Sequence, residues 1–286
     1  MDAGIIRRGM AHGTAVRFLA VSAGKIADEA QRRHQLGRGA TLIAAEVAVA
    51  ALLISAYIKG EERITLQIQS EAPPLSLICD VTSQGTVRMR VRPPQVMVTA
   101  DRLLRGAMMV IKHNAHRELY RAVNALDEEN MTTALRNYLK QSHQVDGVLQ
   151  ISVGLDAAGT VSSAAGILVE RMPPAPDLPS LTPEAFSQKF SGVEKHDAAK
   201  LLHELSQDRL LGEDASSMET RPVVWKCSCS MERIESMLYG LGVEELTDML
   251  LQDNGAEVTC HFCTDTYNVP GRRLQALIAL HEEQVN

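Results

Sequence analysis

At 286 residues, with a formal charge of −6 and only 3% aromatic residues, the chain can hold one large domain and a small one around a mainly aliphatic core. The acidic balance argues against a general affinity for nucleic acid or anionic membrane. Five cysteines, four of them in two close pairs near the C-terminus, do not form a secreted disulfide framework and fit a reducing cytoplasm.

No export signal is read in Phe18-Leu19-Ala20-Val21, a short apolar run directly preceded by Arg17. Residues Ala15 to Val21 predict a strand. Ser22 is the candidate cap of a following helix with Ile26, Ala30 and Arg33, closed by Gly37 and Gly39. Thr41 then opens an Ala-rich helix through Tyr57, ended by Lys59-Gly60. Its apolarity suits a membrane span, but Glu46 lies inside it and would cost roughly 2.5–3.5 kcal/mol at a bilayer centre. A buried core helix is the expectation.

From Arg63 the period changes to two. Ile64, Leu66 and Ile68 share one face; Leu75, Leu77, Cys79 and Val81 follow after Pro73-Pro74; Val87, Met89 and Val91 follow the turn at Ser83-Gln84-Gly85. This is an antiparallel meander. Cys79 falls on the apolar face and is expected as a core thiol. Arg88, Arg90 and Arg92 form the outward stripe, expected as a solvated or ion-paired face. Strand-like runs recur at Ala107 to Lys112 and Leu119 to Val123. Asn130 then caps an amphipathic helix with Leu135, Tyr138 and Leu139, and Asp156-Ala157-Ala158-Gly159 turns a hairpin between Val148–Leu155 and Val161–Val169. His113, His116 and His143 are scattered among these elements without ligand spacing.

A proline-rich stretch from Met172 to Pro176 marks a domain edge. Beyond it, a helix capped by Thr182, another from Val193 to Leu205, and a polar run to Arg221 carry few apolar anchors. This segment reads as a connector that orders only marginally by itself. The expected fold class is α+β: a large N-terminal antiparallel-sheet-plus-helix domain (1–181), a helical connector (182–222) and a small C-terminal zinc-binding module (223–286).

That module carries the strongest signal. Cys227-Ser-Cys229 and Cys260-His-Phe-Cys263 are two close pairs about thirty residues apart, separated by a helix capped at Ser230, a second from Val243 to Leu251, and a turn at Asp253-Asn254-Gly255. Such pairs can bring four sulfurs to one tetrahedral Zn²⁺. A metal-free catalytic dithiol is the alternative. His261, beside Cys260, is left outside the ligand set, and a final helix carries Leu274, Leu277, Ile278 and His281.

The run Trp225-Lys226-Cys227-Ser228-Cys229-Ser230-Met231-Glu232-Arg233, with Cys260-His-Phe-Cys263 and Tyr267 behind it, closely resembles the redox switch of the heat-shock protein 33 chaperones. The order of preceding elements is similar too. The resemblance implies a cytoplasmic holdase that needs no ATP, is not an enzyme, and is inactive while reduced and zinc-bound. On oxidation zinc is expelled, Cys227 joins Cys229, Cys260 joins Cys263, the connector unfolds, and a homodimer holds unfolding client proteins. Nucleic acid and membrane are not expected partners. The rival classes are a zinc-ribbon-like nucleic-acid or protein-binding module, which would need a basic surface, and a thiol–disulfide oxidoreductase, which would need C-x-x-C in a thioredoxin-like setting.

Overall fold

The structure, a computed structural model, describes residues 4–11, 16–144, 147–172 and 216–285. The chain divides into two compact units, Met1–Lys226 and Cys227–Asn286. The connector helices expected after Thr182 and from Val193 to Leu205 lie outside the described residues. The last stretch drawn into that connector is described: Ser216–Pro222 is a strand of the larger unit.

In the larger unit, β1 (Ile5–Ala11) and β2 (Val16–Ser22) precede α1 (Gly24–His34) and α2 (Arg38–Ile54). Then come β3 (Arg63–Ala72), β4 (Pro74–Thr82), β5 (Thr86–Arg92), β6 (Leu104–His113), β7 (Glu118–Glu129), α3 (Met131–Tyr138), β8 (Gly147–Leu155) and β9 (Val161–Arg171). β10 (Ser216–Pro222) and β11 (Val224–Trp225) complete it. One sheet runs β10-β1-β2-β9-β8 and the other β11-β5-β4-β3-β6-β7. All pairings are antiparallel except β11 on β5.

Both sheets close on α2. Its residues from Ile43 to Ile54 are buried without interruption, because Ala and Val on every side let two sheets approach one helix closely. Arg38–Tyr57 is long and apolar enough to cross a membrane, yet 83% of its apolar window lies inside the protein, as a core helix requires. The predicted meander is β3–β4–β5, in which Leu66, Cys79 and Met89 stand in one cross-strand row and are fully buried. Burial pushes the Cys79 thiol well up, into an inert form. On the outer face Arg88 pairs with Asp80 at 2.7 Å. Asn130 caps α3 by accepting from the Thr133 amide at 3.0 Å.

Three local expectations change. Ser22 does not cap α1; its hydroxyl accepts from the Ile5 amide at 3.2 Å, because the chain before it pairs as β1. Gln35, in the left-handed conformation, ends α1 instead of Gly37. Gly37 opens α2 four residues before Thr41, whose hydroxyl donates back to the Gly37 carbonyl at 3.0 Å.

Two buried carboxylates are held inside this aliphatic frame. Glu170 accepts from Arg17 and from the Tyr57 hydroxyl, and His143 stacks on the Tyr57 ring with centroids 4.3 Å apart. Glu46, in mid-α2, accepts from Arg102 Nε at 2.5 Å through one oxygen, while the other oxygen has no partner among the described residues. Burial drives the Glu46 carboxyl up to about 7 against the pull of Arg102.

The sign of the consequence is fixed. Between about 4.5 and about 7 the unfolded chain releases this proton and the folded chain keeps it, so folding loses stability as pH rises, with no further loss above. Denaturant unfolding at pH 5 and pH 8 is expected to show a loss on the order of 3 kcal/mol in the wild type that Glu46→Gln abolishes. Parallel pH profiles for the two proteins would contradict the assignment.

Candidate metal centre

The smaller unit places its four cysteines by two local devices. Cys227 and Cys229 lie just before α4 (Met231–Tyr239), whose first turn Ser230 caps by accepting from the Arg233 amide at 3.4 Å. Arg233 also donates to the Ser228 carbonyl at 2.8 Å, fixing the loop between the two sulfurs. After α5 (Val243–Asp253), a hairpin of β12 (Gly255–Thr259) and β13 (Thr266–Pro270) carries Cys260 and Cys263 on its turn. That turn is closed by Cys260 N to Asp265 O at 2.9 Å and Thr264 N to Cys260 O at 2.8 Å. Helix α6 (Gly271–Val285) follows. The hairpin was not part of the sequence expectation, which had the chain entering the second pair from a simple turn.

All five cysteines are unbridged, and the Sγ atoms of Cys227, Cys229, Cys260 and Cys263 lie within 4.8 Å of one another. Two approaches cross between the pairs: Cys227 to Cys260 at 3.7 Å and Cys229 to Cys263 at 3.1 Å. Metal–sulfur bonds of about 2.3 Å in tetrahedral array hold sulfurs about 3.8 Å apart, so the cluster has the dimensions of a four-thiolate metal site. Among the described residues no second group of His, Cys, Asp or Glu has this property. The scattered histidines are not brought together with it: His113 ends β6, and His143 meets the Tyr138 hydroxyl at 3.1 Å in the larger unit.

Cys263 is buried and the other three sulfurs are half-buried. Burial, then the crowding of neighbouring sulfurs, pushes the Cys263 thiol upward against the opposing backbone of Asp265. Burial likewise raises Cys229, countered in part by the Tyr267 hydroxyl. Four sulfurs this close cannot all ionise by themselves; a cation among them would reverse the balance and make all four thiolates. Tyr267, one strand position from the turn, donates to Cys229 Sγ at 3.0 Å. The sequence resemblance includes Tyr267, but only the hairpin register shows that its hydroxyl reaches a sulfur.

Fold and site together define a two-unit protein, with a helix-filled double-sheet unit followed by a small module organised on four cysteine sulfurs. A profile of the Hsp33 protein family matches residues 5–270, and the chain belongs to that family. The 33 kDa chaperonin of a Picosynechococcus strain is 31% identical over 95% of each chain. The protein of the same name from Bacillus subtilis is 27% identical, covering 94% of this chain and 96% of that one. The crystal structure of the Hsp33 homologue from Thermotoga maritima superposes with a TM-score of 0.80 at 23% identity, covering 99% of this chain and all of that one. Family membership supports a chaperone role.

Outer-shell partners of metal ligands typically contribute 10–100-fold to metal affinity. Tyr267→Phe is therefore expected to lower metal affinity at least about tenfold, measured by competition with a chromophoric chelator, while the far-ultraviolet circular dichroism of the metal-loaded protein is unchanged. Unaltered affinity would show that the hydroxyl does not support the cluster.

Proposed function

We propose that this chain is a redox-regulated chaperone of the holdase type, working without ATP and without an enzymatic step. The observation that carries the reading is the four-cysteine cluster on a module whose buried aliphatic core, among the described residues, is Ile234, Leu238, Leu246, Val269, Leu274 and Leu277. Cys227, Cys229, Cys260 and Cys263 would hold Zn²⁺, the ion best matched to four thiolates at a closed tetrahedral site. Bound zinc keeps the four sulfurs in the form oxidants attack and ties the module's stability to their reduction.

Oxidation removes the ligands. Two thiolates give up two electrons to one peroxide, which takes two protons from solvent and leaves as two waters while the disulfide forms, so two peroxides consume the set. The pairing proposed is Cys227 with Cys229 and Cys260 with Cys263. Proximity within the cluster does not select it, since Cys227 also approaches Cys260 and Cys229 also approaches Cys263. It rests on the resemblance and on the lower entropy of closing a short loop once the roughly thirty-residue insert is free.

The domain reading that goes with this function is 1–181 as chaperone domain, 182–222 as connector, its last stretch held as β10 against β1, and 223–286 as switch. The connector, losing support from the module, would uncover aliphatic surface for unfolded client proteins, whose burial is non-directional and accepts many sequences. The active form is proposed to be a cytoplasmic homodimer acting on neither nucleic acid nor membrane.

Two measurements test this. Zinc release and suppression of client aggregation are expected to rise together on peroxide treatment, with Cys79→Ser behaving as wild type and Cys227→Ser unable to hold zinc. Chaperone activity unchanged by oxidation, or oxidised protein that retains its metal, would refute the redox reading. Limited trypsin digestion is expected to gain cuts at Lys195, Lys200 or Arg209 after oxidation while the region from Met1 to Arg171 stays resistant. Identical digests with activity switched on would exclude the connector from the mechanism.

A further inference from the structure

We propose that the outer edge of β7 is a self-association surface, on which β7 of a second copy pairs antiparallel about a two-fold axis at Asn124. This rests on the homodimer in the functional reading and assigns it a surface.

β7 ends the six-stranded sheet, and among the described residues no strand pairs with its outer side. A row of unpaired backbone amides and carbonyls is a template for another strand, and proteins guard such edges with charges, bulges or short length. Here the guards stand only at the ends. The pairing of β7 with β6 is regular over seven residues, Leu126 with Gly106 through Tyr120 with Lys112, and irregular on either side. Glu128, at the C-terminal irregularity, has φ of 55°. Within the regular stretch Arg121 is the one charged residue. Leu119, Tyr120 and Val123 are exposed, Val123 by 60%.

The charges choose the occupant. The entry end of β7 carries Arg117 and Arg121 against Glu118, which is ion-paired with Arg121 at 2.6 Å. The exit end carries Asp127, Glu128 and Glu129. An antiparallel copy sets each basic end beside an acidic end, whereas a parallel copy would oppose acid to acid. Centred on Asn124, the pairing puts Arg121 opposite Asp127, Val123 opposite Ala125 and Ala122 opposite Leu126, each twice by symmetry. Alternation places Arg121, Val123, Ala125 and Asp127 on one face of the sheet, so both charged contacts fall on the same side as the apolar ones. An extended client segment could use the same backbone but would require no such matching.

Sedimentation velocity of the full-length chain over a concentration series, zinc-loaded and reduced and then peroxide-treated, tests the surface. The wild type is expected to dimerise reversibly in at least one state. Arg121→Glu and Asp127→Arg should each raise the dimer dissociation constant at least about tenfold, because each creates two symmetric like-charge contacts. The combined exchange should restore it to within about threefold, and Val123→Lys should disrupt the dimer without altering the circular dichroism. A dimer indifferent to all four variants overturns the β7 surface while leaving the homodimer standing. Single exchanges that weaken the dimer without rescue overturn the antiparallel register. Variants that keep the dimer but lose protection of clients would assign the edge to clients and refute self-association. A wild type monomeric in both states refutes the proposal and the homodimer together, leaving the zinc and aggregation measurements untouched.

Discussion

Four sulfur atoms within 4.8 Å of one another are the constraint on which the C-terminal module depends. Brought together as thiols they are pushed toward the neutral form by burial and mutual crowding; brought together as thiolates they repel. A divalent cation resolves both problems at once, and structural zinc in small peptides contributes about 10–16 kcal/mol of apparent binding at neutral pH. The small core of this module, six buried aliphatic residues among those described, has no comparable reserve. Local devices fix the positions: the Ser230 cap and the Arg233–Ser228 bond on one arm, the Cys260–Asp265 turn and Tyr267 on the other.

The larger unit rests on different physics. Its core is a continuous aliphatic cluster in which two sheets enclose α2, supplemented by buried ionic contacts at Glu46 and Glu170. Its one cysteine, Cys79, is fully buried with a raised thiol. Among the described cysteines, the four of the cluster are the ones that a bound metal would present as thiolates. On the proposed reading, the redox chemistry would be confined to the smaller unit and would leave the aliphatic core of the larger one intact.

Much of this was legible in the residues because the strongest patterns have single physical readings. Period-two alternation from Ile64 to Val91 permits one sheet face, and the core row through Cys79 followed from it. Glu46 inside an apolar run argued for protein interior, where Arg102 meets it. The cysteine spacing named the cluster, and the longer resemblance named the family. What escaped depends on tertiary pairing. β1 (Ile-Ile-Arg-Arg-Gly-Met-Ala) and β10 (Ser-Ser-Met-Glu-Thr-Arg-Pro) show no alternation; β1 is a strand because β2 and β10 lie on either side of it, and β10 because β1 lies beside it. Once β1 exists, Ser22 is needed for the Ile5 amide and cannot cap α1. The β12–β13 hairpin is five residues on each side with mixed polarity, too short to stand out, yet its register aims Tyr267 at Cys229. The partners of Glu170 lie 153 and 113 residues away in sequence, beyond any local signal.

The coupling of metal to folding in the smaller unit is the centre of this account, and hydrogen exchange read by mass spectrometry on the full-length chain tests it most directly. Peptides from 227–285 are expected to be protected in the zinc-loaded reduced protein and to lose protection when a chelator removes the metal under reducing conditions, while peptides from 38–92 keep theirs. Unchanged protection across 227–285 after complete metal removal would contradict the account, because the module would then be standing on its core alone.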